Sequence, residues 1–136
     1  MKTKIVLVLL AAGALWAAQP IQAHHAFAAE YDVNKPVTLT GTLARMEWVN
    51  PHSWIYMDIK GPDGTVKRWT IESSGPSQMA RRGLKKTDFV DGMPLTVKGY
   101  QGIKDPVLAN GRTLVLADGR SFYIGSVGGP NDGADK

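Results

Sequence analysis

The chain has 136 residues, a formal net charge of +4, 43% hydrophobic residues and no cysteine. That length suits one domain with a packed core, and the lack of thiols excludes disulfides and thiolate metal sites. The small positive charge gives little basis for a nucleic-acid partner.

The first 23 residues read as an export signal. Lys2 and Lys4 supply a positive start, Ile5 to Ala18 are almost wholly apolar and uncharged, and Pro20 breaks the run before Gln22 and Ala23. The apolar stretch is short for a membrane span, and small residues follow it, which is the three-part design of a cleaved signal peptide. Cleavage after Ala23 leaves a small residue at the last position and Ile21 two before it. Ala26-Phe27-Ala28 is the better small-x-small match but lies far past the apolar run, so spacing favours Ala23 over Ala28. Removing 23 of the 136 residues leaves a mature chain of 113 that begins with His24. Lys2 and Lys4 leave with the signal, so the net charge falls from +4 to +2. The expectation is a periplasmic or secreted protein with no membrane span after signal cleavage.

Residues 24–35 read as a short polar-aromatic arm and 36–127 as the folded domain. Val37, Leu39 and Leu43 alternate with Thr38, Thr40 and Thr42, the pattern of a half-buried strand. Gly41 falls on the apolar phase, where strands bend or bulge. The strand pattern runs on to Val49 and stops at Asn50-Pro51. A second strand spans His52 to Lys60, with Ile55, Met57 and Ile59 on the inner face and His52, Trp54, Tyr56 and Asp58 on the outer. Gly61-Pro62-Asp63-Gly64 is a turn. A third strand covers Val66 to Ser73, with Trp69 and Ile71 on one side and Arg68, Thr70 and Glu72 on the other. Ser73-Ser74-Gly75, Pro76 and Gly83 bracket about two helical turns. Strands return at Leu95 to Tyr100, Thr113 to Ala117 and Ser121 to Ile124, the last two joined by a tight turn at Asp118-Gly119. Residues 128–136 lack apolar anchors and are expected to be a disordered tail. The order predicts a mainly β fold: a small five- to six-stranded Greek-key barrel of the OB type, with one short helix after the third strand. A small open sandwich is the rival.

Cleavage before His24 would turn an ordinary residue into a chelator. A free terminal amine and the Nδ1 of the same residue grip one metal ion, and His52, the one histidine outside the arm, can add a third nitrogen. Three nitrogens with open positions suit Cu(II), which prefers nitrogen ligands in a tetragonal plane. This resembles the copper histidine brace of certain secreted oxidases and copper carriers in its ligand set, not in its fold. His25 offers a rival mode, through the amine, its own amide nitrogen and its imidazole. The metal candidates are therefore His24, His25 and His52. Trp54 and Tyr56 follow His52 on its face and are the candidate ligand-binding residues of an alternative, metal-free module for a small ligand or a periplasmic protein partner. The bland reading of that face is that the arm packs over it through Phe27 and Tyr31.

Arg81, Arg82, Lys85 and Lys86 form one basic cluster, read first as a solvated helix end. Met46, Met57, Met79 and Met93 could offer sulfur to Cu(I), with core packing the default. No cysteine nucleophile, Gly-x-Ser-x-Gly elbow or phosphate loop is present. A carrier or sensor therefore fits better than a catalyst.

His24-His25-Ala26-Phe27, Tyr31-Asp32, Thr40-Gly41-Thr42, Trp48-Val49-Asn50-Pro51-His52 and Glu72-Ser73-Ser74-Gly75-Pro76 together resemble one family. It is an uncharacterised family of small exported bacterial proteins with His-His-x-Phe and Trp-x-Asn-Pro-His motifs. The resemblance covers most of the mature chain. Many members carry serine where Ala26 stands and phenylalanine where Tyr31 stands. It implies export and a small β-rich domain, and no activity.

Overall fold

The structure, a computed structural model, describes residues 26–130. Residues 26–30 form a helical turn, α1. Six strands follow: β1 (Tyr31–Glu47), β2 (His52–Lys60), β3 (Val66–Ser74), β4 (Pro94–Gly102), β5 (Leu108–Leu116) and β6 (Ser121–Tyr123). A short helix, α2 (Pro76–Arg81), and a 3₁₀ turn (Lys86–Asp88) lie between β3 and β4. The fold is mainly β, with one sheet in the order β3-β2-β1-β4-β5-β6. Neighbours in that order run antiparallel. β3 also pairs in parallel with β5, Thr70 to Glu72 lying against Leu108 to Asn110.

Alternation explains which residues enter the core. Leu39 and Leu43 of β1, Ile55 and Met57 of β2, Ile71 of β3, and Leu95 and Val97 of β4 are all buried on one side of the sheet. Met79 and Leu84, from α2 and the loop behind it, join them. Met57 and Met79 are thus core residues, and Met46 and Met93 pack against the same cluster. Burial of this kind contributes about 25 cal/mol for each Å² of apolar surface withdrawn from water.

β1 is longer than its apolar alternation suggested. It starts at Tyr31, inside the expected arm, because Tyr31 pairs with Gly102 of β4 and the Ile103 N–H donates to the Glu30 carbonyl. β5 also begins earlier than expected. Ala109, Asn110, Gly111 and Arg112 are buried in succession, so this stretch has no solvent face and shows no alternation. Arg112 is the cause. Its guanidinium donates to the Asn110 side chain, the Ser126 and Pro130 carbonyls and the Tyr123 hydroxyl, roofing the outer face of β5. The segment expected to begin the tail takes part: Gly128 and Gly129 are buried. Residues 131–136 and the expected signal segment lie outside the described residues.

α2 follows its sequence signals. Gly75 is the N-cap, Pro76 opens the helix and Gly83 lies just past its end with φ of 91°. The turn at Asp118-Gly119 is present, with Gly119 at φ of 87°. The basic cluster at this end of the fold divides. Arg81, Lys85 and Lys86 are exposed. Arg82 instead stacks on the Tyr123 ring and donates to the Ser74 hydroxyl and to the carbonyls of Tyr123 and Gly125, tying α2 to the segment after β5.

Gly41 marks the place where β1 passes from one partner to the other. It pairs with Leu95 of β4, while β2 pairing starts at the next residue, Thr42 opposite Asp58. A Cβ at position 41 would lie 2.3 Å from the Asp58 carbonyl oxygen, so glycine is what allows the two backbones to approach. Gly41→Ala should therefore destabilise the fold by about 1–3 kcal/mol through overpacking. Its urea midpoint should fall with an unchanged m-value.

A candidate metal centre at His52

β2 carries His52 at its first position, directly after the Asn50-Pro51 break. Its imidazole is on the outer face, as the alternation required, with 43% of the side chain exposed. Cross-strand register then decides its neighbour. His52 pairs with Ser74 and Trp54 with Glu72, so the Glu72 carboxylate lies diagonally across from the imidazole. His52 Nδ1 contacts Glu72 Oε1 directly. An ionised carboxylate accepts only, so in this contact Nδ1 carries the proton. In the neutral imidazole the lone pair is then on the remaining nitrogen, Nε2.

Glu72 is 5% exposed although it belongs to the outer face of the sheet. The cover comes from the beginning of the described chain. Tyr31 donates its hydroxyl to Glu72 Oε2, so each carboxylate oxygen has its own donor. Phe27 packs on Tyr31 at a ring separation of 5.4 Å and meets Tyr100 edge-on at 6.0 Å. Asn110 of β5 lies beside Glu72 across the parallel pairing. Burial, and then the hydrogen bond to Glu72, hold the Tyr31 phenol far above its ordinary range. Tyr31 therefore stays a donor at every physiological pH, and one Glu72 oxygen remains committed to it. The other is free to orient His52.

A cavity of about 310 Å³ opens at this cluster, lined by Ala26, Glu30, His52, Glu72 and Ser126 among others. Ala26 and Glu30 stand one helical turn apart on α1. His24 and His25 lie outside the described residues. Ala26, the next residue along, shares a cavity wall with His52. Among the described residues, no group of three or more His, Cys, Asp or Glu side chains is arranged to hold a metal ion.

The two aromatic candidates have different surroundings. Tyr56 is occupied: Arg45 lies over its ring at 4.4 Å, and its hydroxyl donates to Glu47 Oε2 at 3.2 Å. Trp54 is half-buried opposite Glu72. The arm residues Phe27 and Tyr31 pack toward Tyr100 and Glu72. The acids of these strands separate by partner as well. Glu47 serves Tyr56 and Arg45, Asp58 forms a two-pronged pair with Arg68, and Glu72 serves Tyr31 and His52. The Arg68 guanidinium holds the Asp58 carboxyl below its usual range.

Glu72 and Tyr31 are the residues to which sequence reasoning gave no role at His52. A faint signal existed for Glu72, because alternation put it on the same side of β3 as the outer face of β2. For Tyr31 the signal was the expectation that the arm packs over that face through Phe27 and Tyr31; its hydroxyl contact with Glu72 depends on how the arm folds back.

The Tyr31 shift carries a sign that can be measured. Above its ordinary pKa of 10.0 the phenol ionises in the unfolded chain but not in the folded one. The unfolded state then binds fewer protons, and stability falls as pH rises. Urea titrations between pH 9 and 11 should show that decline in the parent protein. Tyr31→Phe should show a shallower decline, by one proton's worth of slope.

Among the described residues no helix is long and apolar enough to cross a membrane. No curated protein and no solved structure matches the chain. A family profile does match, over residues 12–107, a span that takes in His24, His25, Tyr31, His52 and Glu72, and the chain belongs to that family, described as a family of unknown function (DUF6152).

Proposed function

We propose that this is an exported Cu(II)-binding protein, a carrier or sensor, in which the amine of a chain starting at His24 joins His24 or His25 and the Nε2 of His52 as ligands. The observation that carries the proposal is the contact between His52 Nδ1 and the buried Glu72. Metal-binding histidines commonly donate their second ring nitrogen to a carboxylate, which fixes the tautomer and makes the ligating nitrogen more basic. Glu72 is held for that task by Tyr31, on the segment that leads back to the arm histidines. The cavity shared by Ala26 and His52 supports the reach that the ligand set requires. Nitrogen ligands with open positions favour Cu(II) over harder cations.

The scaffold reading belongs with this proposal. Consecutive pairings β1-β2-β3-β5-β4 return to β1, the circuit of a small OB-type Greek-key barrel. In such a barrel the arm would lie across one end and bring its histidines to the start of β2. A metal-free module with Trp54 and Tyr56 as its contact residues is the second reading, favoured by the partial exposure of Trp54.

The test uses the chain from His24 and a chain from Ala26, both titrated with Cu(II). Tight binding by the first and its loss in the second is expected. Binding should weaken as pH falls, because protons compete for the amine and the imidazoles. Glu72→Gln should lower Cu(II) affinity by roughly 10–100-fold while His52 remains in place. Equal affinity for the two chains, or no effect of His52→Ala, would exclude the arrangement. A ligand whose binding is lost in Trp54→Ala and kept in His52→Ala would establish the second reading instead.

A further inference from the structure

Two loops meet where β1 gives way to β2. Trp48, just after β1, and Phe89, at the end of the 3₁₀ turn, lie at a ring separation of 5.9 Å. Both are half-buried and pack against the core, as do Met46 and Met93. The loop before β4 is held along β1, because the Gly92 N–H donates to the Leu43 carbonyl and the Leu43 N–H to the Met93 carbonyl. The residue after each ring is an exposed apolar one, Val49 at 46% and Val90 at 64%. Single exposed valines are ordinary on a protein surface. These two differ because an aromatic contact joins their loops and because the same turn carries cations. Lys85 and Lys86 precede Phe89 on the 3₁₀ turn and Arg81 ends α2, all three of them exposed. Two neighbouring carboxylates are engaged elsewhere: Glu47 with Arg45 and Tyr56, and Asp88 with Arg120 and the Lys85 N–H. Asp91, which is exposed, is the acid that opposes the cations on this loop.

We infer that this end of the protein docks on an anionic phospholipid bilayer. The inference does not depend on the metal reading. Charge complementarity carries it first: Arg81, Lys85 and Lys86 match a layer of lipid phosphates, and each cation held near such a surface adds to the attraction. The apolar side chains decide which polyanion fits. A soluble polyanion would engage the cations and leave Val49 and Val90 in water. A bilayer offers phosphates at its boundary and an apolar zone just beneath, so cations and valines are satisfied together. Tryptophan favours that boundary, which suits Trp48 between the two. The surface is also preformed. Leu84 is fully buried between Arg81 and Lys85, and the Asp88 contacts fix the turn that bears the lysines. With so few anchoring groups the contact is peripheral and reversible.

The experiment uses the chain from His24, which keeps every described residue and lacks the apolar run at 5–18 that would itself enter lipid. Co-sedimentation with vesicles of phosphatidylcholine, with and without phosphatidylglycerol, should show binding that needs the anionic lipid and fades as salt rises. Arg81→Gln/Lys85→Gln/Lys86→Gln should weaken it by roughly tenfold or more, and Val49→Ser/Val90→Ser by roughly tenfold. Both variants change exposed side chains and should keep the parent's urea midpoint. Brominated lipid should quench the parent's tryptophan emission, and Trp48→Phe should remove most of that quenching. Absence of binding to the anionic vesicles, equal binding to neutral ones, or full binding by the glutamine variant overturns the inference. Unchanged binding by the serine variant also overturns it, since the contact would then be with charge alone, as a soluble polyanion would make.

Discussion

A carboxylate withdrawn from water organises the described end of this protein. Glu72 lies on the outer face of β3 and is nonetheless 5% exposed, with Tyr31 on one oxygen and His52 on the other. Leaving such a group without donors would cost several kcal/mol, so its burial is tolerated only while both partners are present. The consequence is mechanical. The position of the segment that leads into β1 and the orientation of the ring at the start of β2 are set by one acceptor. Anything that moves the first acts on the second.

The sheet makes this possible through two departures from simple antiparallel order. The parallel pairing of β3 with β5 brings Asn110 beside Glu72 and closes off the side of β3 that would otherwise face solvent. The early start of β1 brings Tyr31 to the edge of β4, from which its hydroxyl reaches back across to β3. Arg112 does related work on β5. Its guanidinium gathers carbonyls from residues 126 and 130 and holds residues 126–130 beside the arm, where Phe27 also packs near Gly129. Polar groups thus bind the two ends of the described chain to one face of the sheet, while the apolar core occupies the other.

The family's region of match takes in His52 and Glu72, and among the described residues no group of three or more His, Cys, Asp or Glu side chains is arranged to hold a metal ion. The domain contributes one histidine with a preset tautomer and a cavity beside it. The rest of a ligand set would come from the arm. In the proposed arrangement, metal affinity would depend on where the chain begins.

The sequence by itself was enough for the mainly β character, the inward face of β2, the bounds of α2 and the turn at Asp118-Gly119. All of these follow from local rules: period-two alternation, glycine and proline stereochemistry, and helix capping. It also singled out His52 by its place on the outer face. Two things were beyond it. The first half of β5 is buried on both faces, and a stretch without a wet side has no alternation to read. The cluster at His52 draws on residues 20 and 21 positions away along the chain: Glu72, which contacts the ring across the β2–β3 register, and Tyr31, which donates to Glu72 from the folded-back start of β1. Register and burial of a polar side chain are decided only when distant segments pack together, so the carboxylate at the heart of the site became a partner of His52 only in the folded chain.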